Sequence, residues 1–379
     1  MQNEMNAKLI SLSCFAGWHA LVFILGMNVA MAETASSDDA VYLSRVMPET
    51  VYREARGRLT RLNFDFELAN PTDRDAELTY LELRAFDARG RILARRYMGG
   101  NGLPGPVEML PERTIPAGGA LYVFNPFSDF ATASPVARVL LRVFHSEGSL
   151  ETEIFPVDPP GPRLKAPPIA AEAYVYSGND LFSHHRRVSL NSVAAREIGM
   201  DRIAQRFALD FTALDPETGD LAAGDLSRLE SWFGYGLPVA APADGRIVAM
   251  RADMPDNRFD AEGARIFDEG FPDFGENRGL GNYVMIETGG AYLLMAHFAP
   301  GSITVGVGDE VVAGQPLGIV GLSGDTAYPH LHIQLQDGPD FLHANPLPIV
   351  FDCVRLRRDV AAGPQSVDTG DFVRACARD

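Results

Sequence analysis

The stretch SGDTAYPHLHIQLQDG, residues 323–338, carries two of the eight histidines of the chain, one residue apart. Successive side chains of a β-strand point to opposite faces, so His330 and His332 would stand side by side. Leu331 and Ile333 would then point to the other face. This alternation predicts a strand with one apolar face and one face that carries two imidazoles.

Length and composition limit the classes of protein to consider. The chain has 379 residues, of which 46% are hydrophobic, so it can bury more than one core, and two to three domains are expected. The formal net charge is -17. Nucleic acids and anionic membrane surfaces need basic patches, so this acidity argues against both as partners.

Residues 1–32 have the pattern of a secretory signal. Lys8 is followed by the apolar run of residues 15–32, and the Ala-Met-Ala step at 30–32 has the small-x-small form of a signal-peptidase site. The apolar run is short for a retained membrane anchor. We therefore expect a mature chain that begins at Glu33, does not span a membrane, and resides in the periplasm or outside the cell.

Cysteine usage agrees with export. Cys14 lies in the signal, and Ser11 stands where a lipobox has an aliphatic residue, so lipidation is not expected. Cys353 and Cys376 remain in the mature chain, and an even count in an oxidising compartment predicts a disulfide. This bond would tie down the C-terminal tail, residues 351–379, and would contribute about 3 kcal/mol by the chain-entropy estimate.

The first mature region, residues 33–157, is predicted to be all-β. In RLNFDFELANPTD, residues 61–73, apolar and polar residues alternate up to a cluster of turn residues. Further short runs of this kind indicate a β-sandwich, with an immunoglobulin-like arrangement as the nearest known form. We find no catalytic constellation in this region, and we interpret it as a spacer or docking module.

A proline-rich segment separates this region from the next. Residues 156–168 hold six prolines in thirteen positions, which predicts a stiff, extended connector outside any core, with the linker at 158–173. Residues 174–350 are again rich in strand patterns and glycine turns, without helical periodicity. Within them, residues 251–281 form a polar, glycine-rich insertion that is either a functional loop or disordered.

Two further residues join the histidine pair as candidates for a site. His297 ends the apolar run AYLLMAHF, residues 291–298, and Asp210 lies among apolar neighbours in QRFALDFTALD, residues 205–215. A buried carboxylate needs a partner, and a metal ion is one. Zinc suits a site of histidine nitrogen and aspartate oxygen, and it lowers the pKa of a bound water to about 7.

Several sequence blocks together resemble one known family. They occur in the order and spacing of the lysostaphin-like, or LytM-type, zinc metallopeptidases, which cut peptidoglycan cross-bridges. The blocks are LPVAAPADGRIV (237–248), GNYVMIE (281–287), AYLLMAHF (291–298), VGDEVVAGQPLGIVG (307–321) and PHLHIQL (329–335). A matched series is more specific than any single motif. The resemblance implies a mainly β peptidase domain of the β-sheet or barrel-sandwich type over residues 174–350, with one zinc ion per chain.

The resemblance also assigns roles to individual residues. His332 and Asp210 would be zinc ligands, and His330 and His297 would be the catalytic histidines. The family's usual first ligand is a histidine four residues before the aspartate, and this chain has Arg206 there. Two protein ligands would hold zinc poorly, so either another residue substitutes or the site binds no metal.

A substitute is present in LFSHHRRVSL, residues 181–190. The chain resembles a branch of the family in which a His-Arg pair precedes a QRFAxD block. His185 is the preferred third ligand and His184 the second choice. The alternative is a solvated basic turn that happens to carry histidine.

The sequence therefore predicts an exported zinc metalloendopeptidase that hydrolyses the peptide bridges of peptidoglycan. The alternative, motivated by Arg206, is a non-catalytic LytM-like domain that binds peptidoglycan or activates a partner such as a cell-wall amidase or a divisome component. A biotinyl or lipoyl carrier domain would need a modifiable lysine, and residues 238–335 contain none.

Overall fold

The computed structural model describes residues 40–57, 59–131, 135–197, 199–266, 278–357 and 363–376. The predicted signal peptide lies outside these residues. Strands dominate the part that is described, which confirms the mainly β class. Within these ranges, no helix combines the length and apolar character that crossing a bilayer requires.

Eleven strands build the first region around one apolar core. They are β1 (Tyr42–Met47), β2 (Arg53–Arg56), β3 (Leu59–Leu62), β4 (Asp65–Asn70), β5 (Ala76–Phe86), β6 (Ile92–Met98), β7 (Thr114–Ile115), β8 (Gly119–Val123), β9 (Asp129–Ala131), β10 (Arg138–His145) and β11 (Gly148–Ile154).

These strands form three sheets, with the orders β1-β4-β8, β11-β10-β5-β6 and β2-β3-β9; β7 pairs with β5. The residues predicted to face inward are fully buried in the shared core: Leu62, Phe64, Phe66 and Leu68. Strands such as β10 bury alternate side chains in this core. We call this region the sandwich after its predicted architecture, and an immunoglobulin-like arrangement stays a prediction.

The second region adds fifteen strands and one short α-helix. They are β12 (Ala173–Ser177), α1 (Val193–Glu197), β13 (Leu209–Thr212), β14 (Pro238–Ala240), β15 (Gly245–Arg251), β16 (Arg258–Phe259), β17 (Arg265–Ile266), β18 (Asn282–Thr288), β19 (Ala291–Phe298), β20 (Glu310–Val311), β21 (Pro316–Ile319), β22 (Leu331–Gln336), β23 (Pro346–Leu347), β24 (Phe351–Leu356), β25 (Gly363–Gln365) and β26 (Phe372–Ala375).

One eleven-stranded sheet organises this region, in the order β20-β15-β18-β19-β22-β13-β12-β26-β24-β25, with β23 on β22. The predicted histidine strand, β22, lies near its centre between β19 and β13. Antiparallel pairing sets Asp210 directly opposite His332. Because directly paired residues share a face of the sheet, this register brings together two side chains that are 122 positions apart in the chain.

The predicted connector differs from expectation in one respect. It is extended, but Leu164 and Ile169 are fully buried in the core of the second region. Leu164 forms a bridge to Phe351, and Ile169 forms one to Val239. Proline fixes an extended backbone without preventing its apolar neighbours from packing, so part of the connector belongs to the core after all.

The predicted C-terminal tail is likewise part of the main sheet. Strand β26 pairs with β12 on one side and with β24 on the other. Cys353 on β24 and Cys376, directly after β26, are disulfide-bonded with their Cα atoms 5.6 Å apart. The bond therefore joins two neighbouring strands of one sheet and does more than restrain a loose end.

Buried polar residues connect the two regions. Glu54 of β2 accepts a hydrogen bond from Asn179 at 2.6 Å, and Arg61 of β3 donates to the same asparagine at 3.0 Å. Arg61 also pairs with Asp368 at 2.7 Å. Burial raises the pKa of Glu54 to about 7, and this effect exceeds the opposing effect of Arg61.

Replacing both cysteines, as in Cys353→Ser/Cys376→Ser, should lower the free energy of unfolding by about 3 kcal/mol. The bond closes a loop between residues separated by 23 positions, and its loss frees the unfolded chain. Urea unfolding of the two proteins measures the difference. Equal midpoints, or two reactive thiols in the wild-type protein, would show that the bond does not form.

Glu54 should make the metal-free protein less stable as the pH rises. A pKa raised above the ordinary value of 4.5 means that the folded state binds the proton more tightly, so this contribution is complete below that pH and is lost by about pH 7. Glu54→Gln keeps the neutral form. The free energy of unfolding of Glu54→Gln minus that of wild type should therefore rise by about 3 kcal/mol from about pH 4.5 to about pH 8. Urea unfolding at both pH values tests this, with the same substitution at the exposed Glu108 as a control.

Candidate metal centre

The carboxylate of Asp210 is the centre of the predicted site. It lies on β13, is fully buried, and is surrounded by imidazoles. Its Oδ1 atom lies 3.0 Å from His332 Nδ1, 3.3 Å from His185 Nε2 and 3.4 Å from His330 Nε2. Its Oδ2 atom lies 3.7 Å from His184 Nε2. The fold thus collects four of the predicted histidines around the predicted aspartate.

The two adjacent histidines occupy different environments. His185 has a side chain only 1% exposed, whereas that of His184 is 65% exposed. His185 Nδ1 lies 3.2 Å from the carbonyl oxygen of Gly178, which can only accept a hydrogen bond. Nδ1 therefore donates to this carbonyl, and Nε2 is the ring nitrogen nearer Asp210. In the structure this Nε2 atom is buried without a hydrogen-bond partner.

A chain of buried amides orients the imidazole of His332. Gln336 Nε2 donates to the carbonyl oxygen of Gly338 at 2.6 Å, so its Oε1 atom faces Gln334 Nε2, at 2.5 Å. Gln334 Oε1 consequently faces His332 Nε2, at 3.1 Å, and can only accept. The amide chain therefore favours a proton on Nε2 of His332, and Nδ1 is the nitrogen beside Asp210 that would bind a metal ion.

His330 is oriented by a backbone carbonyl in the same way. Its Nδ1 atom lies 2.9 Å from the carbonyl oxygen of Tyr328 and 2.9 Å from Thr326 Oγ1. The carbonyl requires a proton on Nδ1, which leaves Nε2 to face Asp210.

His297 reaches the site through an irregularity of β19. It is the one non-glycine residue with positive φ in the described ranges, at 71°, and the pairing of β18 with β19 shifts its register there. Such bulges redirect a side chain that would otherwise point to the other face. His297 Nδ1 lies 2.8 Å from the carbonyl oxygen of Ser323, and its ring lies 4.8 Å from that of His330.

The charges of the site suit a cation. Burial alone would raise the pKa of Asp210, but His185 and His330 hold it well below its usual value, so the carboxylate is ionised. Burial lowers the pKa of His332, and it lowers that of His297 well below the usual value. Burial also lowers the pKa of His330, but the neighbouring Asp210 raises it above the ordinary value. An ionised carboxylate surrounded by imidazoles is a ligand set for a transition-metal ion such as zinc, which would displace protons from the nitrogens that bind it.

Among the residues that the structure describes, two sets of side chains are close enough to hold a metal ion. In each set the ligand atoms lie within 4.8 Å of one another. One set is His297, His330 and His332; the other is His184, His185 and Asp210. Asp210 Oδ2 and His185 Nε2 lack hydrogen-bond partners, and unpaired buried polar atoms are costly unless something binds them. The residues present therefore fit a zinc ion.

The imidazoles line a cavity of about 460 Å³. Its other walls include Tyr176, Tyr328, Met200, Phe341 and Arg265. Arg265 lies on β17, inside the predicted insertion, so part of that insertion borders the cavity. Residues 267–277 of the insertion lie outside the described residues.

Arg206 is absent from the site. Its side chain is 1% exposed and donates hydrogen bonds to Asp65 and Asn63 of the first region, at 2.7 and 3.0 Å. Arg206, at the usual ligand position, thus joins the two regions and does not face Asp210. The histidine that lies beside Asp210 is His185.

Our sequence interpretation did not include Gln334 and Gln336. They follow His332 at intervals of two, so the strand period that paired His330 with His332 also placed these amides on the same face.

Gln334→Leu should change the tautomer of His332 in metal-free protein. Without the amide acceptor, Asp210 Oδ1 is the remaining acceptor within reach, so the proton should move to Nδ1. Long-range ¹⁵N–¹H spectra of the imidazoles report the tautomer directly. His297 and His330 donate to backbone carbonyls and serve as internal controls. An unchanged Nε2–H signal for His332 would contradict the role of the amide chain.

Comparison with known proteins assigns the second region to a family. Residues 233–344 match the sequence model described as Peptidase family M23. A search of curated proteins finds no match.

Similar solved structures include the catalytic domain of a point mutant of the prophage-encoded M23 protein EnpA from Enterococcus faecalis. It has 18% identity and a TM-score of 0.26, with 50% of this chain and 93% of that one covered. The catalytic domain of lysostaphin from Staphylococcus simulans has 20% identity and a TM-score of 0.25, covering 47% and 88%. A zinc-containing peptidase from Vibrio cholerae has 12% identity and a TM-score of 0.20, covering 67% and 81%.

These TM-scores are low, so the assignment rests on the family match. That match includes the strands that carry His297, His330 and His332. Residues 233–344 therefore match peptidase family M23, the LytM-type family that the sequence blocks resemble.

Proposed function

We propose that the protein is an exported zinc metalloendopeptidase that hydrolyses peptide cross-bridges of peptidoglycan. One observation carries this proposal. The unpartnered Nε2 of His185 and the Nδ1 of His332 both face Asp210 Oδ1, at 3.3 and 3.0 Å. Two imidazoles and a carboxylate are the three protein ligands that a catalytic zinc requires, with a fourth position left for water or substrate.

Fixed hydrogen-bond acceptors orient the two imidazoles that would bind the metal ion. Gln334 orients His332 and the Gly178 carbonyl orients His185, and outer hydrogen bonds of this kind raise the affinity of a metal site. When bound, zinc would polarise the scissile carbonyl and make a water molecule acidic.

His330 and His297 would act on the reacting groups. Each donates its Nδ1 proton to a backbone carbonyl, so each presents Nε2 to the cavity. From there they would orient the attacking water, stabilise the tetrahedral oxyanion and deliver a proton to the leaving amine. Because the carbonyls hold the rings in place, little reorganisation accompanies these transfers.

The family match and the chain itself support the proposed substrate class and location. The M23 domain supports a peptide of the cell wall as the substrate. The signal-like residues 1–32 and the disulfide between Cys353 and Cys376 support a periplasmic or secreted protein.

The second candidate is a non-catalytic domain that binds peptidoglycan or a partner amidase. Arg206 at the usual first-ligand position favours it. It requires that His185 not replace the missing ligand, and this is what the first experiment decides.

The purified mature protein should contain about one zinc ion per chain, by elemental analysis without added metal. His332→Ala and His185→Ala should each lose it. His184→Ala is the matched control, because its side chain is exposed and lies farther from Asp210; it should retain the zinc. Loss of zinc in His184→Ala with retention in His185→Ala would exchange their roles. Absence of zinc in wild type, even after reconstitution, would leave the non-catalytic function.

Zinc-loaded protein should release soluble fragments from purified peptidoglycan. His330→Ala should retain zinc but lose at least about a hundredfold in rate, which is the usual contribution of a general acid or base. New amino groups among the products would identify amide hydrolysis. Full zinc with no release from any peptidoglycan tested would favour the binding function.

A further inference from the structure

One carboxylate of the sandwich binds two arginines of the peptidase region. Asp65 of β4 is fully buried and accepts hydrogen bonds from Arg186 and from Arg206, both at 2.7 Å. Arg186 is also fully buried, and its guanidinium donates to the carbonyl oxygens of Phe64 and Asn125 at 3.2 and 2.8 Å. All three of these acceptors belong to the sandwich.

Arg186 directly follows His185 in the chain. Both lie in residues 178–187, which we call the histidine loop. It runs from the end of β12 through consecutive turns and forms no strand ladder. Ser183 donates to the carbonyl of Gly178, and its hydroxyl also lies 2.9 Å from that of Ser177, so the end of β12 holds part of the loop through side chains and no ladder does so.

The sandwich also holds the other end of the histidine loop. Asn63 donates to the carbonyl oxygen of Asn179 at 2.9 Å, and the side chain of Asn179 binds Glu54 and Arg61. These partners and Asp65 all lie on or between β2, β3 and β4. The histidine loop is thus attached near both ends to three strands of the first region.

The other two ligands of the proposed zinc site are held differently. Asp210 lies on β13, which is paired on both sides, with β12 and β22. His332 lies on β22, between β13 and β19. Backbone ladders fix these two residues, whereas His185 depends on a loop that another part of the chain holds.

We propose that the sandwich completes the metal site: Asp65 holds Arg186, and through it the histidine loop, so that His185 remains in place as the third ligand. This rests on the proposed zinc function. Arg186 and Asp65 are positioning residues that touch neither metal nor substrate. The first region is then a structural part of the active site as well as any docking module.

The charges around Asp65 determine which substitutions test this proposal. Asp65 faces two guanidinium groups, so removing either arginine leaves one buried pair of opposite charges. Removing the carboxylate would instead leave two buried cations, which is far more disruptive. Arg186→Met and Arg206→Met have similar side-chain volume and the same charge change, but only Arg186 is part of the histidine loop.

The experiment compares these two full-length variants with wild type. Zinc affinity is measured by chelator competition, and the visible spectrum of the cobalt-loaded protein reports the number and geometry of ligands. Arg186→Met should bind zinc about 10–100-fold more weakly, with an altered cobalt spectrum, because a ligand has lost its support. Arg206→Met should stay within about threefold of wild type and keep the spectrum, since ladders hold Asp210. Urea unfolding of the metal-free proteins checks that the two variants are equally stable.

A double-mutant cycle tests the route through Asp65. Asp65→Asn should weaken zinc binding, and combining it with Arg186→Met should add little, because both changes break the same contact. Additive losses would overturn the proposal, as would wild-type affinity in Arg186→Met or equal losses in the two methionine variants. If Asp65→Asn does not fold, the two methionine variants alone decide. Absence of zinc from the wild-type protein would overturn the proposed function itself. Zinc in wild type together with wild-type affinity in Arg186→Met would overturn only the role of Asp65, so the two failures are distinguishable.

Discussion

The burial of one carboxylate, that of Asp210, constrains the rest of the site. An ionised group without solvent is costly unless opposite charge or hydrogen-bond donors surround it. Three ring nitrogens approach its Oδ1 atom within 3.4 Å. Burial raises its pKa, but His185 and His330 hold that pKa well below the usual value, so the carboxylate is ionised. A buried, ionised carboxylate among imidazoles is a suitable site for a cation.

Four hydrogen-bond acceptors hold the imidazoles of the site in their orientations. Three are backbone carbonyls, of Gly178, Tyr328 and Ser323, and the fourth is an amide chain that ends at the carbonyl of Gly338. A carbonyl cannot donate, so it determines the tautomer of the imidazole in front of it. Backbone geometry thereby sets the direction of each lone pair, and the chemistry of the site depends on the sheet as much as on the histidines.

The two regions are joined by ionic and polar contacts that are buried. Such pairs contribute little to stability compared with apolar packing, but they are specific about geometry. Arg206, at the position where the family has a ligand, is bound by the same Asp65 that binds Arg186. Under our proposals, the use of His185 as third ligand and the attachment of the sandwich involve one buried carboxylate. This agrees with an arginine at the position where the resemblance to LytM-type peptidases implies a histidine.

The sequence alone determined the mainly β class, the strand that carries His330 and His332, and the candidate ligands, because side-chain period and residue chemistry are local properties. The apolar runs that surround them identified His297 and Asp210 as well. Only the tertiary structure decided that His185 is buried and His184 exposed, that Leu164 and Ile169 of the connector enter the core, and that residues after 350 extend the main sheet. It also decided the role of Arg206, whose partner lies 141 positions away. Register and packing bring such distant residues together, and neither is encoded in any short stretch of the chain.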